Sequence, residues 1–245
     1  MNTNSKPAAG KAANVAIAAR PSVRETVCLT VAIGGWFLAV GMAWWTVSAY
    51  EFRHERAERE AVLGRWPTGS SLTLASDRPT LLFFMHPKCP CTRAALVELK
   101  RLWLVAQQRP SKDTPRLIVV ATVPTDAGDD WFTTDTMERA RALAGAEVVI
   151  DRDGQEAMKF GVATSSKVKW FDRAGHCLYS GGITASRGHE GANAGADSLA
   201  RLLEGATETV TGLPAFGCRL CLPNEKQRAA GESAEAVGLP DNSKN

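Results

Sequence analysis

From Thr26 to Tyr50 the chain runs for 25 positions without a charged side chain. A bilayer core of about 30 Å takes about 20 helical residues, so this run can span it with some tilt. Trp44, Trp45 and Tyr50 sit near one end, where an aromatic interfacial belt is expected, and Trp36 lies within the run. A stretch this long and this apolar does not suit an ordinary core helix, so the folded domain must be built elsewhere. Val47-Ser48-Ala49 resembles a small-residue cleavage site, which leaves a signal peptide as the alternative. The apolar part exceeds the usual signal-peptide core, which favours a retained anchor. Gly35, Ala39 and Ala43 form a small-residue stripe suited to helix packing, although a lipid-facing surface serves the same residues. The flanks do not set an orientation. Lys6, Lys11, Arg20 and Arg24 on one side balance Arg53, Arg56, Arg59 and Arg65 on the other.

The remaining residues divide by composition. Residues 1–25 read as a disordered tail, 26–50 as the transmembrane anchor, 51–66 as a charged helical linker and 223–245 as a second disordered tail. Glu55 and Arg59 form an i,i+4 pair in the linker. Between these lies one domain, 67–222, with alternating signals. The apolar runs Thr80–Met85 and Leu117–Val123 read as buried strands, and Thr92–Gln107 as a helix carrying Leu96, Leu99, Trp103 and Ala106 on one face. Trp131–Ala144 is helical by composition, and Glu147–Ile150 returns to strand. Lys167–Phe171, the turn Asp172-Arg173-Ala174-Gly175 and His176–Ser180 read as a β-hairpin, and Asp197–Leu203 as a closing helix. This order predicts an α/β sandwich with a mixed central sheet, preceded by one transmembrane helix. The net charge of +3 gives no reason to expect a nucleic-acid partner.

Six cysteines carry the chemistry, and four form two close pairs: Cys89 with Cys91, and Cys218 with Cys221. Cys89-Pro90-Cys91 falls between a buried strand and the start of a helix. Unpaired N–H groups and the helix dipole there favour a thiolate, and Lys88 and Arg93 add positive charge. Pro90 stiffens the turn and Pro87 restricts His86. Cys91 is available to resolve Cys89, although a disulfide across one intervening residue closes a tight ring. Cys218 and Cys221 are the other candidates, as resolving thiols or as a local structural disulfide. Leu222 follows Cys221 where haem attachment requires histidine. Cys177, in a strand, reads as a core thiol, and Cys28 as inert.

The segment Leu81 to Cys89 resembles the first core strand and active-site loop of thioredoxin-like proteins. Asp151-Arg152-Asp153-Gly154 through Phe160-Gly161-Val162 and the hairpin Val168–Tyr179 resemble their later elements. The similarity covers about Leu72 to Leu203. Three further segments resemble the membrane-anchored thioredoxin-like proteins of the RedB type. They are His86-Pro87-Lys88-Cys89-Pro90-Cys91-Thr92-Arg93, Ser180-Gly181-Gly182-Ile183-Thr184 with Arg187-Gly188-His189, and Phe216-Gly217-Cys218. The resemblance implies a thioredoxin-like sandwich with Cys89 as the attacking thiol. It also implies Thr92 where thioredoxins carry their second cysteine, and Ser166 where they carry a cis-proline. Cys89, Cys91, Thr92, Arg93 and Ser166 are thus the candidate catalytic set.

Three functions compete. A thiol–disulfide oxidoreductase would exchange with protein or small-molecule thiols through a mixed disulfide. A metallochaperone would use His86, Cys89 and Cys91 as soft ligands for copper or zinc, with His189 or Cys218 and Cys221 completing the set. A non-catalytic binding module would keep the fold alone. The first two, by resemblance to tethered bacterial proteins, imply a single-pass inner-membrane protein with its N-terminus cytoplasmic and its domain periplasmic.

Overall fold

The computed structural model describes residues 22–51, 64–108 and 114–220. The chain divides into two compact units, Met1–Ser48 and Ala49–Asn245. The expected tail up to residue 21, most of the charged linker (52–63), Cys221 and the C-terminal tail lie outside the described residues.

Helix α1 runs Val23–Glu51. It starts before the uncharged run begins at Thr26, because Ser22 and Glu25 form a capping box. The Ser22 hydroxyl accepts from the Glu25 N–H at 3.3 Å, and the Glu25 carboxylate accepts from the Ser22 N–H at 2.8 Å. The apolar side chains are exposed all round, with Trp36, Trp44 and Trp45 among them. Thr30 and Thr46 donate their hydroxyls to the carbonyls of Thr26 and Ala43, both at 2.8 Å, so these polar groups are satisfied within the helix. Its 28 residues from Val23 to Tyr50 make it long and apolar enough to cross a membrane, as an anchor or as a signal sequence.

The second unit is organised by β1, Thr80–Met85. Its side chains alternate between two cores. Leu81, Phe83 and Met85 join the cluster containing Leu99, Trp103, Met137 and Leu199, whereas Leu82 and Phe84 join the one containing Ile118, Val120, Phe160 and Phe171. β1 pairs in parallel with β2, Arg116–Val123, which pairs in parallel with β3, Glu147–Arg152. On its other side β1 pairs antiparallel with β4, Lys167–Phe171, which pairs antiparallel with β5, Cys177–Gly182. A two-residue β6, Val210–Thr211, completes the order β3-β2-β1-β4-β5-β6. Helices α2 (Pro90–Ala106), α3 (Asp135–Arg141) and α5 (Ala194–Leu203) supply residues to the first core, and α4 (Gln155–Lys159) to the second. This mixed sheet between helical layers is the expected α/β sandwich.

The departures are local. The stretch expected as one helix from Trp131 to Ala144 is a 3-10 turn at Asp129–Trp131 and then α3. Thr134 breaks it, since its hydroxyl accepts from the Met137 N–H at 3.2 Å and starts a new helix. Helix α4 was not visible as a periodic run. The buried Asp151 carboxylate organises it from β3, accepting from the N–H groups of Glu156 and Ala157 at 2.8 and 3.0 Å. Helix α5 begins before Asp197 because Asn193 caps it, accepting from the Ala196 N–H at 2.8 Å.

Candidate active site

Strand β1 ends at Met85, and after a short turn Cys89 occupies the N-cap of α2 with extended backbone, φ −85° and ψ 118°. Pro90 at the first helical position supplies the φ that the helix needs and sacrifices an N–H that has no intrahelical partner. The helix is held by Leu96, Leu99 and Trp103 in the core, so the cysteine position is set by packing some distance from it. Cys89 is 1% exposed and Cys91 6%.

A segment far along the chain covers the turn. Residues Phe216–Leu220 form a strap against the loop before β4. The Ser165 N–H donates to the Cys218 carbonyl at 2.8 Å, the Leu220 N–H to the Ala163 carbonyl at 2.7 Å, and Thr164 bridges Arg219. Gly217 lets the two backbones meet, since a Cβ there would lie 2.1 Å from the Ser165 carbonyl oxygen. The strap delivers Cys218 to the reactive turn, where its backbone N–H donates to the Cys89 sulfur at 3.3 Å. Cys89, Cys91 and Cys218 are all thiols in this structure.

One sulfur takes the charge of the three. The Cys91 thiol donates to Cys89, and the Cys218 thiol, the Cys218 N–H and the Thr92 hydroxyl do the same; against the opposing effect of burial they lower the Cys89 thiol to about 4. Its neighbours move the other way. Cys91 is raised by its hydrogen bond to Cys89, then by burial and by the Cys89 charge. Cys218 is pushed up to about 11 by burial, then by its bond to Cys89 and that same charge.

Thr92 sits in a small polar network beside the sulfur. The Ser165 hydroxyl accepts from the His86 N–H at 2.9 Å and lies 2.7 Å from the Thr92 hydroxyl, which in turn lies 3.5 Å from the His86 carbonyl. The serine expected in the candidate set was Ser166, which stands where thioredoxins carry a cis-proline. No peptide bond here is cis, and Ser166 takes a left-handed backbone, φ 71°, with its N–H bonded to the Phe84 carbonyl at 2.8 Å. Its buried hydroxyl has no hydrogen-bond partner among the described residues, so Ser165 faces the site instead.

The positive charges expected from Lys88 and Arg93 are directed elsewhere. Lys88 pairs with Asp130 and lies 4.5 Å from the Trp131 ring, and Arg93 reaches Asp135 at 3.6 Å. Arg187 acts on the other two thiols, opposing the upward shift of Cys91 and of Cys218. Among the described residues no group of three or more His, Cys, Asp or Glu is arranged to hold a metal ion. Burial lowers the His86 imidazole below its ordinary value, and its Nδ1 accepts from the Lys88 N–H at 3.2 Å. His189 is exposed, with Nδ1 2.7 Å from the Ser186 hydroxyl. Cys177 is a core thiol as expected, donating to the Tyr179 carbonyl at 3.2 Å.

Sequence reasoning put Cys89, Cys91 and Thr92 in one candidate set, left Cys218 between a resolving thiol and a local structural disulfide, noted Arg187 only within a resembling segment, and passed over Ser165. The signal for the strap was Gly217 beside Cys218; nothing in the residue pattern distinguished Ser165 from Ser166.

No protein-family model and no curated protein matches the chain. Several solved structures are similar. An uncharacterized conserved protein from Geobacillus kaustophilus is 21% identical, with 59% of this chain and 77% of that one covered, at a TM-score of 0.46. A hypothetical protein from Sinorhizobium meliloti is 22% identical over 60% and 81%, at 0.45. A secreted Mycobacterium tuberculosis disulfide oxidoreductase homologous to Escherichia coli DsbE is 16% identical over 54% and 84%, at 0.38. The fold assignment rests on the strand order and pairing described above.

Proposed function

We propose that the protein is a membrane-tethered thiol–disulfide oxidoreductase in which Cys89 is the attacking thiolate and Cys218 the resolving thiol. The observation that carries this reading is the seating of Cys218 on Cys89, with its N–H donating to the sulfur at 3.3 Å. Cys89 attacks one sulfur of a substrate disulfide and releases the other as a thiolate. Cys218 then loses its proton and attacks the Cys89 sulfur, forming the Cys89–Cys218 bond and releasing the second substrate thiolate. Cys91 is less suited to resolve, since a disulfide to Cys89 within the first turn of α2 spans only Pro90. Its role is to donate to the Cys89 thiolate, alongside Thr92. The reading uses thiols alone, and disulfide chemistry suits an oxidising compartment.

The resolving assignment is tested by trapping. Cys218→Ser should accumulate a mixed disulfide between Cys89 and glutathione, with release slowed on the order of a hundredfold, because the second nucleophile is gone. Intact mass spectrometry after mixing with glutathione disulfide reads this. If Cys218→Ser turns over normally and Cys91→Ser accumulates the adduct, Cys91 is the resolving thiol. If the wild-type chain exchanges with nothing, the oxidoreductase reading fails.

We place the domain outside the cytoplasm, with α1 retained as a single-pass anchor. The length of α1 and its exposed apolar surface support the anchor. A C-terminal alkaline phosphatase fusion should be active and a matched cytoplasmic reporter silent. The reverse pattern would put the domain inside.

A further inference from the structure

The attacking sulfur is shut away by the segment that serves it. Cys89 is 1% exposed, so a substrate disulfide has no approach to it in this arrangement, whereas Cys218, on the strap, is only half-buried. The strap is held to the site by few backbone bonds. The Ser165 N–H donates to the Cys218 carbonyl at 2.8 Å, the Leu220 N–H to the Ala163 carbonyl at 2.7 Å, and the Cys218 N–H to the sulfur at 3.3 Å. They make an isolated bridge, Thr164 with Arg219, and not a strand of the sheet. Phe216 and Leu220 anchor it with buried side chains on either side of the cysteine. Upstream, the Pro214 carbonyl accepts from the Gly182 N–H at 3.2 Å. Before that tie lies Gly212, exposed, at φ 80° and with open space around it, a residue able to absorb a backbone rotation. The loop under the strap carries costs of its own. Ser166 has a left-handed backbone, φ 71°, and its buried hydroxyl has no hydrogen-bond partner among the described residues.

We propose that the strap Phe216–Leu220 is a gate: closed it shields the Cys89 sulfur, open it admits a substrate disulfide, and in closing again it returns Cys218 to the sulfur that it resolves. The inference rests on the exchange reading above and gives it an order of events. Two of the three backbone bonds fall on Cys218 itself and the third on Leu220, so one movement breaks them together. With the strap open, Cys89 attacks the substrate disulfide and one substrate thiolate leaves, while Cys218 is out of reach of the bonded sulfur. Closing brings Cys218 back. Its proton goes to solvent, its thiolate forms the S–S bond to Cys89, and the second substrate thiolate leaves. That bond ties the strap shut. The oxidised chain therefore takes no second disulfide until an incoming thiol reduces the Cys89–Cys218 bond.

Hydrogen exchange of the full chain in detergent, read by mass spectrometry of its peptides, follows the gate without altering it. In the reduced chain the amides of Ser165, Cys218 and Leu220 should exchange together, at least about tenfold faster than those of β1. After oxidation with glutathione disulfide the same amides should slow by about tenfold or more, with β1 unchanged. Strap amides that exchange in the reduced chain no faster than β1 open only with the whole fold, and that result would overturn the proposal. A variant supplies the second arm. Leu220→Ala removes one buried anchor of the strap, and should speed iodoacetamide alkylation of Cys89 about tenfold near neutral pH while slowing resolution of the glutathione adduct. The core thiol Cys177 should stay unmodified; its alkylation would report a lost fold and leave the decision to the exchange of the unaltered chain. Unchanged alkylation in a folded Leu220→Ala, or equal slowing of both steps, counts against the gate. If no Cys89–Cys218 bond ever forms, the exchange reading fails, while exchange in the reduced chain still shows whether the strap opens.

Discussion

Replacing Cys89 by serine should remove nearly all reactivity toward iodoacetamide and glutathione disulfide at the site, a loss of at least about a thousandfold. Four donors meet at this sulfur, and a serine hydroxyl in the same place stays protonated at any ordinary pH. The pH dependence makes the prediction sharper. With the thiol lowered to about 4, the Cys89 thiolate is present above that pH and is protonated below it. Alkylation should then be nearly flat from neutral down to about pH 5, and below the midpoint should fall about tenfold for each unit. Mass mapping of alkylated peptides across pH measures this. A midpoint near 9, the value of an ordinary thiol, would show that the donors do not hold the charge.

Gly217→Ala should disable the site without touching a sulfur. The added Cβ would lie 2.1 Å from the Ser165 carbonyl oxygen and 2.8 Å from its carbon, and both are backbone atoms that cannot swing aside. The strap must lift. Lifting it breaks the Ser165 N–H bond to the Cys218 carbonyl and removes both Cys218 donors from Cys89. The expected result is an alkylation midpoint raised by about one unit or more, together with resolution slowed toward that of Cys218→Ser. Gly64→Ala is the control, because a Cβ there meets nothing within 4 Å. Wild-type pH dependence and resolution in Gly217→Ala would mean that the strap is not what seats Cys218.

The fold was legible because its signals are local. Thr80–Met85 and Leu117–Val123 are mostly apolar runs of strand length, and Leu96, Leu99 and Trp103 mark one helical face, so these strand and helix positions follow from local pattern. Elements started by a single polar side chain were not legible. Helix α4 depends on a carboxylate from β3, and the break before α3 depends on one threonine hydroxyl. The site divides the same way. The Cys89 turn announces itself by composition at a strand–helix junction. Cys218 and Arg187 reach it only through tertiary contacts spanning 129 residues in the first case. Lys88 and Arg93 were misread for a related reason: adjacency in sequence put them near the thiol, whereas Asp130 and Asp135 take up their charge.

The point where the chain enters its domain bears on how the protein carries load. Arg65 bridges His176, the Gly64 carbonyl accepts from the Cys177 N–H at 2.9 Å, and the Trp66 N–H donates to the Gly175 carbonyl at 2.7 Å. The Trp66 ring then wedges against Phe160 and Phe171, each 5.0 Å away. All of this gathers at the hairpin turn. That turn sits beside the Thr80 end of β1, and Cys89 follows the Met85 end, about 20 Å further along the strand. Tension arriving through Gly64 would therefore fall first on this aromatic clasp. The turn that carries Cys89 lies at the opposite end of β1 from it.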